Sequence, residues 1–370
     1  MAAPDREPVW LPRADFQRLI EALGAGGRRV LGPVVRDGAI AWDEIREPSD
    51  LPEGWREQQS PGAYRLEAAG HARLFDVVNG PASVKAFVFA PREELVTVTR
   101  EGRSFRAEAR RPDAPRLALL GVRACDLAAL RIQDRIFLHD RVPDPAYALR
   151  RERLLLVAVN CTRPAPTCFC VSMGTGPEAE SGFDLSLTEL DGGFLVRPAT
   201  AAGGEIVGAL GLGAAPAAAV AEERAALATC AAGMTRSLDT GDLPEMLYRN
   251  LEHPHWDAVA ARCLSCGNCT QVCPTCFCHD ERDEPLLDGS GSIRVREWDS
   301  CFNREHAQVH GLNFRPKIAH RYRQWLVHKL ASWIDQFGTS GCVGCGRCIS
   351  WCPTGIDLTQ EIEALREPRV

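Results

Sequence analysis

Two cysteine runs limit what this chain can fold into. CLSCGNCTQVCP carries Cys263, Cys266, Cys269 and Cys273, and CVGCGRCISWCP carries Cys342, Cys345, Cys348 and Cys352. Both read C-x2-C-x2-C-x3-C-P. At that spacing three thiolates turn inward from a short loop onto one corner of an iron–sulfur cube, and the proline carries the fourth away to the other cube. The spacing predicts one [4Fe-4S] cluster on Cys263, Cys266, Cys269 and Cys352, and a second on Cys342, Cys345, Cys348 and Cys273. Crossed ligation requires the two runs to fold against each other. Structural zinc asks for four ligands, usually in two separated pairs, and leaves the extra cysteine and proline of each run without a role.

The surroundings decide how the remaining cysteines, of 16 in all, are read. The N-terminal stretch MAAPDREPVWLPRADF has acidic residues and three prolines but no apolar h-region, so it does not read as a signal peptide. Apolar runs such as Leu154–Val159 and Ile206–Val220 are too short, or too rich in glycine and alanine, to span a bilayer. A cytoplasmic location is therefore expected, and in a reducing compartment cysteines serve as metal ligands before disulfides. The net charge of −6 is spread along 370 residues and offers no clustered basic surface for nucleic acid. That length suits two or three domains with a real core.

Residues 14–23 (ADFQRLIEAL) space their apolar side chains as a helix behind a start at Asp15. GAGG at Gly24–Gly27 follows a helix rather than a strand, so it reads as a turn and not a phosphate loop. Val30–Val35 and Ala39–Trp42 read as a hairpin across Arg36-Asp37-Gly38, and Lys85–Phe89 and Leu95–Thr99 as short strands. Arg116–Val122 is an apolar strand ending in RACD, Leu127–Leu138 is helical, and Arg153–Val159 is a second apolar strand ending in Asn160-Cys161. Strand, helix and strand at this length make a βαβ unit, whose parallel strands end at one sheet edge, where open α/β sheets bind ligands. Cys125 and Cys161 lie just beyond the two strand ends, and Cys168 and Cys170 follow in PTCFC. These four are the candidate ligands of a third [4Fe-4S] cluster. The plainer reading makes them small buried apolar residues. Phe194–Arg197 reads as a strand, and Ala214–Ala232 as an alanine-rich helix with Cys230 a core residue on it.

Thr240–Pro254 reads as a linker with a short helix, and the domain boundary falls there. Residues 274–341 separate the two cysteine runs. Within them Arg315–Phe337 is amphipathic, with Ile318, Tyr322, Trp325, Leu326, Leu330, Trp333 and Ile334 near one stripe. Pro316 suits its first turn and Gly338 its stop. Trp256–Ala261 is a second helix, leading into the first run. Cys276 and Cys278 repeat the word PTCFC, and Cys301 stands in WDSCFNREH. Three roles stand open for these cysteines: lining the second cluster, stabilising the loop, or ligating a third cluster with a non-cysteine partner. His279, His306 and His310 nearby read as hydrogen-bonding or exposed residues.

In this order, GVRACDLAAL, NCTRPAPTCFCVSMGTGP, RCLSCGNCTQVCPTCFC, WDSCF and GCVGCGRCISWCP resemble the iron–sulfur beta subunit of cytoplasmic NiFe hydrogenases, the sulfhydrogenases. The electron-transfer subunit of anaerobic sulfite or sulfur reductases is similar. The resemblance runs from about residue 60 onward. It implies an electron-transfer subunit of a multisubunit oxidoreductase. Its partners would be a flavin subunit that handles NAD(P)H and the small and large subunits of a NiFe hydrogenase. In the alternative, a sirohaem-bearing sulfite reductase subunit takes the hydrogenase's place. The residues agree in offering no catalytic site of their own: no G-x-G-x-x-G follows a strand, and no Ser/His/Asp arrangement is credible. The fold class expected is α+β: an α/β domain with a small sheet over residues 1–239, then a helical two-cluster ferredoxin domain over residues 240–370.

Overall fold

The computed structural model describes residues 7–368, so the first six residues of the N-terminal stretch read above for a leader lie outside the described residues. In chain order the main strands are β1 (Val9–Pro12), β2 (Arg29–Arg36), β3 (Ala39–Glu44), β4 (Trp55–Ser60), β5 (Ala63–Ala68), β6 (Arg92–Glu101), β7 (Ser104–Ala109), β8 (Leu117–Val122), β9 (Leu154–Val159), β10 (Leu185–Leu190), β11 (Gly193–Pro198), β12 (His279–Pro285) and β13 (Gly291–Trp298). Together with helices in both halves they give an α+β fold.

Seven strands form one sheet in the order β1-β11-β10-β9-β8-β2-β3. Its middle, β10-β9-β8-β2, is parallel, and antiparallel hairpins close both sides. Parallel strands are covered on both faces and read as unbroken apolar runs, which is how RLALLGV and RLLLVAV read. Successive residues then serve opposite faces. Ala118, Leu120, Leu155 and Val157 pack with Phe16, Leu19 and Leu23 of the helix Phe16–Gly24. Leu117, Leu119 and Leu156 pack with Leu127, Leu130 and Phe137 of the helix Ala124–Phe137. The β2–β3 hairpin turns through Asp37 and Gly38, both at positive φ (50° and 73°). Their type I′ conformation matches the strand twist.

A second, fully antiparallel sheet has the order β12-β13-β6-β7. It pairs β6 from the first half of the chain with β13 from the second. Lys85–Phe89, expected as a strand, is instead the short helix Lys85–Val88. Val84 and Val88, one helical turn apart, are both buried in the core under β8. That packing overrides the strand preference of the sequence.

The long C-terminal helix starts later than expected. Ile318–Val327 is α-helical behind Lys317 at the N-cap, so Pro316 lies before the helix rather than in its first turn. His328–Ser332 is a π-turn, and Trp333–Phe337 continues to Gly338, which stops it at φ 65°. A π-turn inserts one residue and rotates everything beyond it. Ile334 therefore leaves the apolar stripe and is exposed, while Trp333 is buried.

Candidate metal centres

The cysteine runs share one local design. In each, a glycine at positive φ, Gly267 (74°) or Gly346 (73°), precedes a single helical turn, Asn268–Gln271 or Arg347–Ser350, that carries the third cysteine. The conformation is open only to glycine at low cost. The two turns pack together, and the fourth cysteine of each run reaches the other. Cys263, Cys266, Cys269 and Cys352 line one cavity, which Cys348 of the second run also borders, walled by Phe302, Tyr322 and Trp325. The Ser265 and Ile356 amides donate to Cys263 Sγ (3.3 Å) and Cys352 Sγ (3.4 Å). Tyr322 Oη and Trp325 Nε1 are buried without a hydrogen-bond partner. Such orphans are rare in native proteins and mark a place for a missing acceptor.

Cys273 takes the corresponding place beside Cys342, Cys345 and Cys348. Its charge pushes the Cys345 and Cys348 thiols up, after burial and, for Cys348, after the charges of the ladder's other thiols. Burial likewise pushes Cys342 up to about 12. The Gly344 amide donates to Cys342 Sγ at 3.5 Å. Lys329, carried on the π-turn and only 3% exposed, donates from Nζ to Cys273 Sγ (3.3 Å) and Cys276 Sγ (3.4 Å). Burial opposes the charge on Lys329, and the sulfur of Cys273, then that of Cys276, overcomes it and holds the ammonium protonated.

The other expected quartet lies against this second run. β8 and β9 are adjacent and parallel, so Cys125, in the first turn of Ala124–Phe137, and Cys161 emerge at one sheet edge. Arg123 is buried there. It donates to the carbonyls of Phe75, Val78, Val159 and Asn160 and comes within 3.9 Å of Cys161 Sγ. The PTCFC loop then crosses the second run: the Phe169 amide donates to Gly344 O (2.8 Å), and Thr167 Oγ1 meets Ser350 Oγ (2.8 Å). A Cβ on Gly344 would lie 2.7 Å from the Cys170 backbone. Burial, then the charges of Cys170 and Cys161, push Cys168 well up, and burial, then the charges of Cys161 and Cys345, push Cys170 up to about 12. Cys125 stands nearer the second run, feeling Asp126, Arg347 and Cys345 before Cys170. Cys230, read from sequence as a core residue, is buried beside Cys161 and Cys170. An alanine-rich helix gave no local sign of that neighbourhood.

Cys276, Cys278 and Cys301 share a separate cavity with His306. His279 lines the same cavity but bonds Phe277 O and packs on Phe89, and His310 is exposed. Among the described residues no three His, Cys, Asp or Glu side chains converge on a single-ion site. The thiols frame volumes instead of points. A cube asks for that, because it spreads its ligands further apart than one zinc ion with bonds of about 2.3 Å.

Residues 262–356, which span both runs, match the model of the 4Fe-4S dicluster domain. Over 268 residues, the chain is 33% identical to sulfhydrogenase 2 subunit beta of Pyrococcus furiosus, covering 68% of this chain and 75% of that one. The chain belongs to the sulfhydrogenase beta-subunit family. No solved structure matches it. Membership makes the chain an iron–sulfur, electron-transferring subunit of a redox enzyme complex, with [4Fe-4S] clusters as cofactors. The buried thiols and orphaned donors fit that group. Among the described residues no helix is long and apolar enough to cross a membrane.

Proposed function

We propose that this chain carries electrons between a flavin subunit that oxidises or reduces NAD(P)(H) and the small and large subunits of a NiFe hydrogenase. Its two lobes divide near residue 240. One cluster is held by Cys263, Cys266, Cys269 and Cys352, a second by Cys342, Cys345, Cys348 and Cys273, and a third by Cys125, Cys161, Cys168 and Cys170. When bound, [4Fe-4S] clusters supply one-electron redox chemistry. The protein's part is to fix the thiolates, donate hydrogen bonds to sulfur and exclude water, and these set cluster potentials. Lys329, the Ser265 and Ile356 amides and the apolar walls of Phe302 and Trp325 do this work.

The single observation that carries the reading is the interleaving of the runs, which puts Cys352 in the cavity of the first and Cys273 beside the second. Of the exposed residues, Cys266 and Leu264 open the first cavity to solvent, so a partner subunit exchanges electrons there. The test is anaerobic purification of the complex through this chain, followed by nickel, iron and sirohaem analysis. Nickel and flavin in the complex are expected. Sirohaem with no nickel would refute the hydrogenase assignment and favour a sulfite reductase. Cys352→Ser and Cys263→Ser should abolish the same electron paramagnetic resonance signal, and Cys273→Ser the other. Loss of one shared signal in Cys352→Ser and Cys342→Ser would refute crossed ligation.

A further inference from the structure

Four cysteines remain outside the quartets above; Cys230 lies beside Cys161 and Cys170, and the fold collects the other three. Cys276 and Cys278 leave the first run in its own PTCFC word. The chain then forms the β12–β13 hairpin and returns, with the Asp299 amide donating to Cys278 O (2.9 Å). That return sets Cys301 opposite Cys278. A cavity of about 270 Å³ opens between them, lined by Cys276, Cys278, Cys301, His306, Lys329 and the rings of Trp325 and Trp333.

Three observations distinguish this cavity from a packing defect. The first is its unused donors. Trp333 and Arg315 belong to its wall, and Trp333 Nε1 and Arg315 Nε are both buried without a hydrogen-bond partner; Trp325, whose Nε1 is also unpartnered, stands between this cavity and the first. Trp325 and Trp333 are 4% and 2% exposed. An unmade buried donor is costly, so two peculiar to one void point to an acceptor that belongs inside it. The second is the state of His306. Its Nδ1 is engaged by Asp299 Oδ2 at 2.7 Å, the carboxylate–histidine pairing that fixes the tautomer of metal-bound imidazoles. The ring also pairs with the Cys278 thiol, so the imidazole stands directly beside a thiol of the cavity. The third is spacing. Cys278 pairs with Cys301 and with His306, and Cys276 with Cys273, yet no three of these groups close on a single-ion point; the same is true of the two cysteine runs, for which the dicluster match fixes the kind of cofactor.

We propose that Cys276, Cys278, Cys301 and His306 bind a further [4Fe-4S] cluster, ligated by three thiolates and one imidazole. The indole N–H of Trp333 donates to its sulfides. Replacing one thiolate by neutral imidazole removes a negative charge and raises the reduction potential above that of an all-cysteine cluster in comparable surroundings. The site adjoins the proposed second cluster directly, because Lys329 Nζ bonds both its ligand Cys273 and Cys276.

The test uses the intact complex, purified anaerobically, with wild type compared with Cys278→Ser/Cys301→Ser and with His306→Cys. The double variant should lose about four irons and four labile sulfides per chain, one cube's content, and keep the signals of the other clusters. In wild type, electron–nuclear double resonance should show a nitrogen coupling on one reduced cluster. His306→Cys should keep the iron, lose that coupling and lower the potential of the same cluster. The proposal is overturned by unchanged iron in the double variant, by about one zinc per chain at these residues, or by a Cys278–Cys301 disulfide in the native complex. Should the double variant fail to fold, absence of nitrogen coupling in wild type overturns it alone. None of these results depends on the nickel or sirohaem content that tests the function proposed above.

Discussion

The salt bridge between Asp126 and Arg347 ties the two halves of the chain together, and its removal has a magnitude that can be worked out. Arg347 stands between Cys345 and Cys348 and is 2% exposed; Asp126 follows Cys125 and is 1% exposed. The guanidinium donates to both carboxylate oxygens at 2.9 Å and to Gly80 O at 3.1 Å. With both groups out of water, solvent screening does not discount the pair. Each charge-assisted bond contributes about 1.5–3 kcal/mol, so two lost bonds total about 3–6. Breaking a buried pair from one side independently costs about 3–5 kcal/mol, because the other charge stays buried and alone. Asp126→Ala should therefore destabilise the chain by about 4 kcal/mol, a shift of nearly a thousandfold in the folding equilibrium. Replacing both residues by apolar ones of similar size, Asp126→Leu with Arg347→Met, should recover most of that loss. Anaerobic urea titration, followed by cluster absorbance and by tryptophan fluorescence, measures it. Iron should leave the second run first, since Arg347 lies within it. A loss below about 1 kcal/mol, or a double variant that costs the sum of its singles, would refute this account of the buried pair.

Two further outcomes follow from the same environment. In the chain stripped of metal, burial holds the Cys170 thiol up at about 12 and Cys125 and Cys168 well above the ordinary 9.0. A raised thiol favours the folded apo chain below the unfolded value and loses that advantage as pH rises. Apo stability should thus fall between about pH 9 and 12, by about 1.4 kcal/mol per unit for each such thiol; a flat melting temperature across that range would contradict it. Lys329→Met removes a buried ammonium and its bonds to Cys273 and Cys276. The cluster ligated by Cys273 should become harder to reduce by roughly 60 mV, a tenfold step for one electron, as read by a potentiometric titration, and an unchanged or raised midpoint would refute a role for Lys329 in setting it.

The features legible in sequence were those encoded locally. Ligand spacing in the two runs and apolar β8 and β9 around RACD both depend on residues within a few positions of each other. What escaped reading depends on distant partners. Arg347 occupies a spacer position of the second run, and nothing beside it announces Asp126, 221 positions away. Lys85–Val88 reads as strand because its residues favour strands, yet its place under β8 makes it helical. The π-turn at His328–Ser332 has no local signature, and it is what turns Lys329 toward Cys273. His306 resembles an ordinary loop histidine until Asp299 is seen against its Nδ1.

The two PTCFC words explain why these distant partners matter. The first presses on the second run through Phe169, Thr167 and the backbone of Cys170, so closely that Gly344 has no room for a Cβ. The other, nearer in sequence, reaches the same run through Thr275, whose Oγ1 donates to Gly341 O at 2.7 Å. The second run is therefore shaped from both sides by segments that themselves carry cysteines. Ladder spacing alone holds a minimal two-cluster fold, but here Asn79 Nδ2 also donates to Cys345 O (2.9 Å) from the first half of the chain. Its loop geometry is a property of both halves at once. That coupling brings thiols read as separate groups into contact with one another, which is what a chain must do if electrons are to pass between sites contributed by different parts of its sequence.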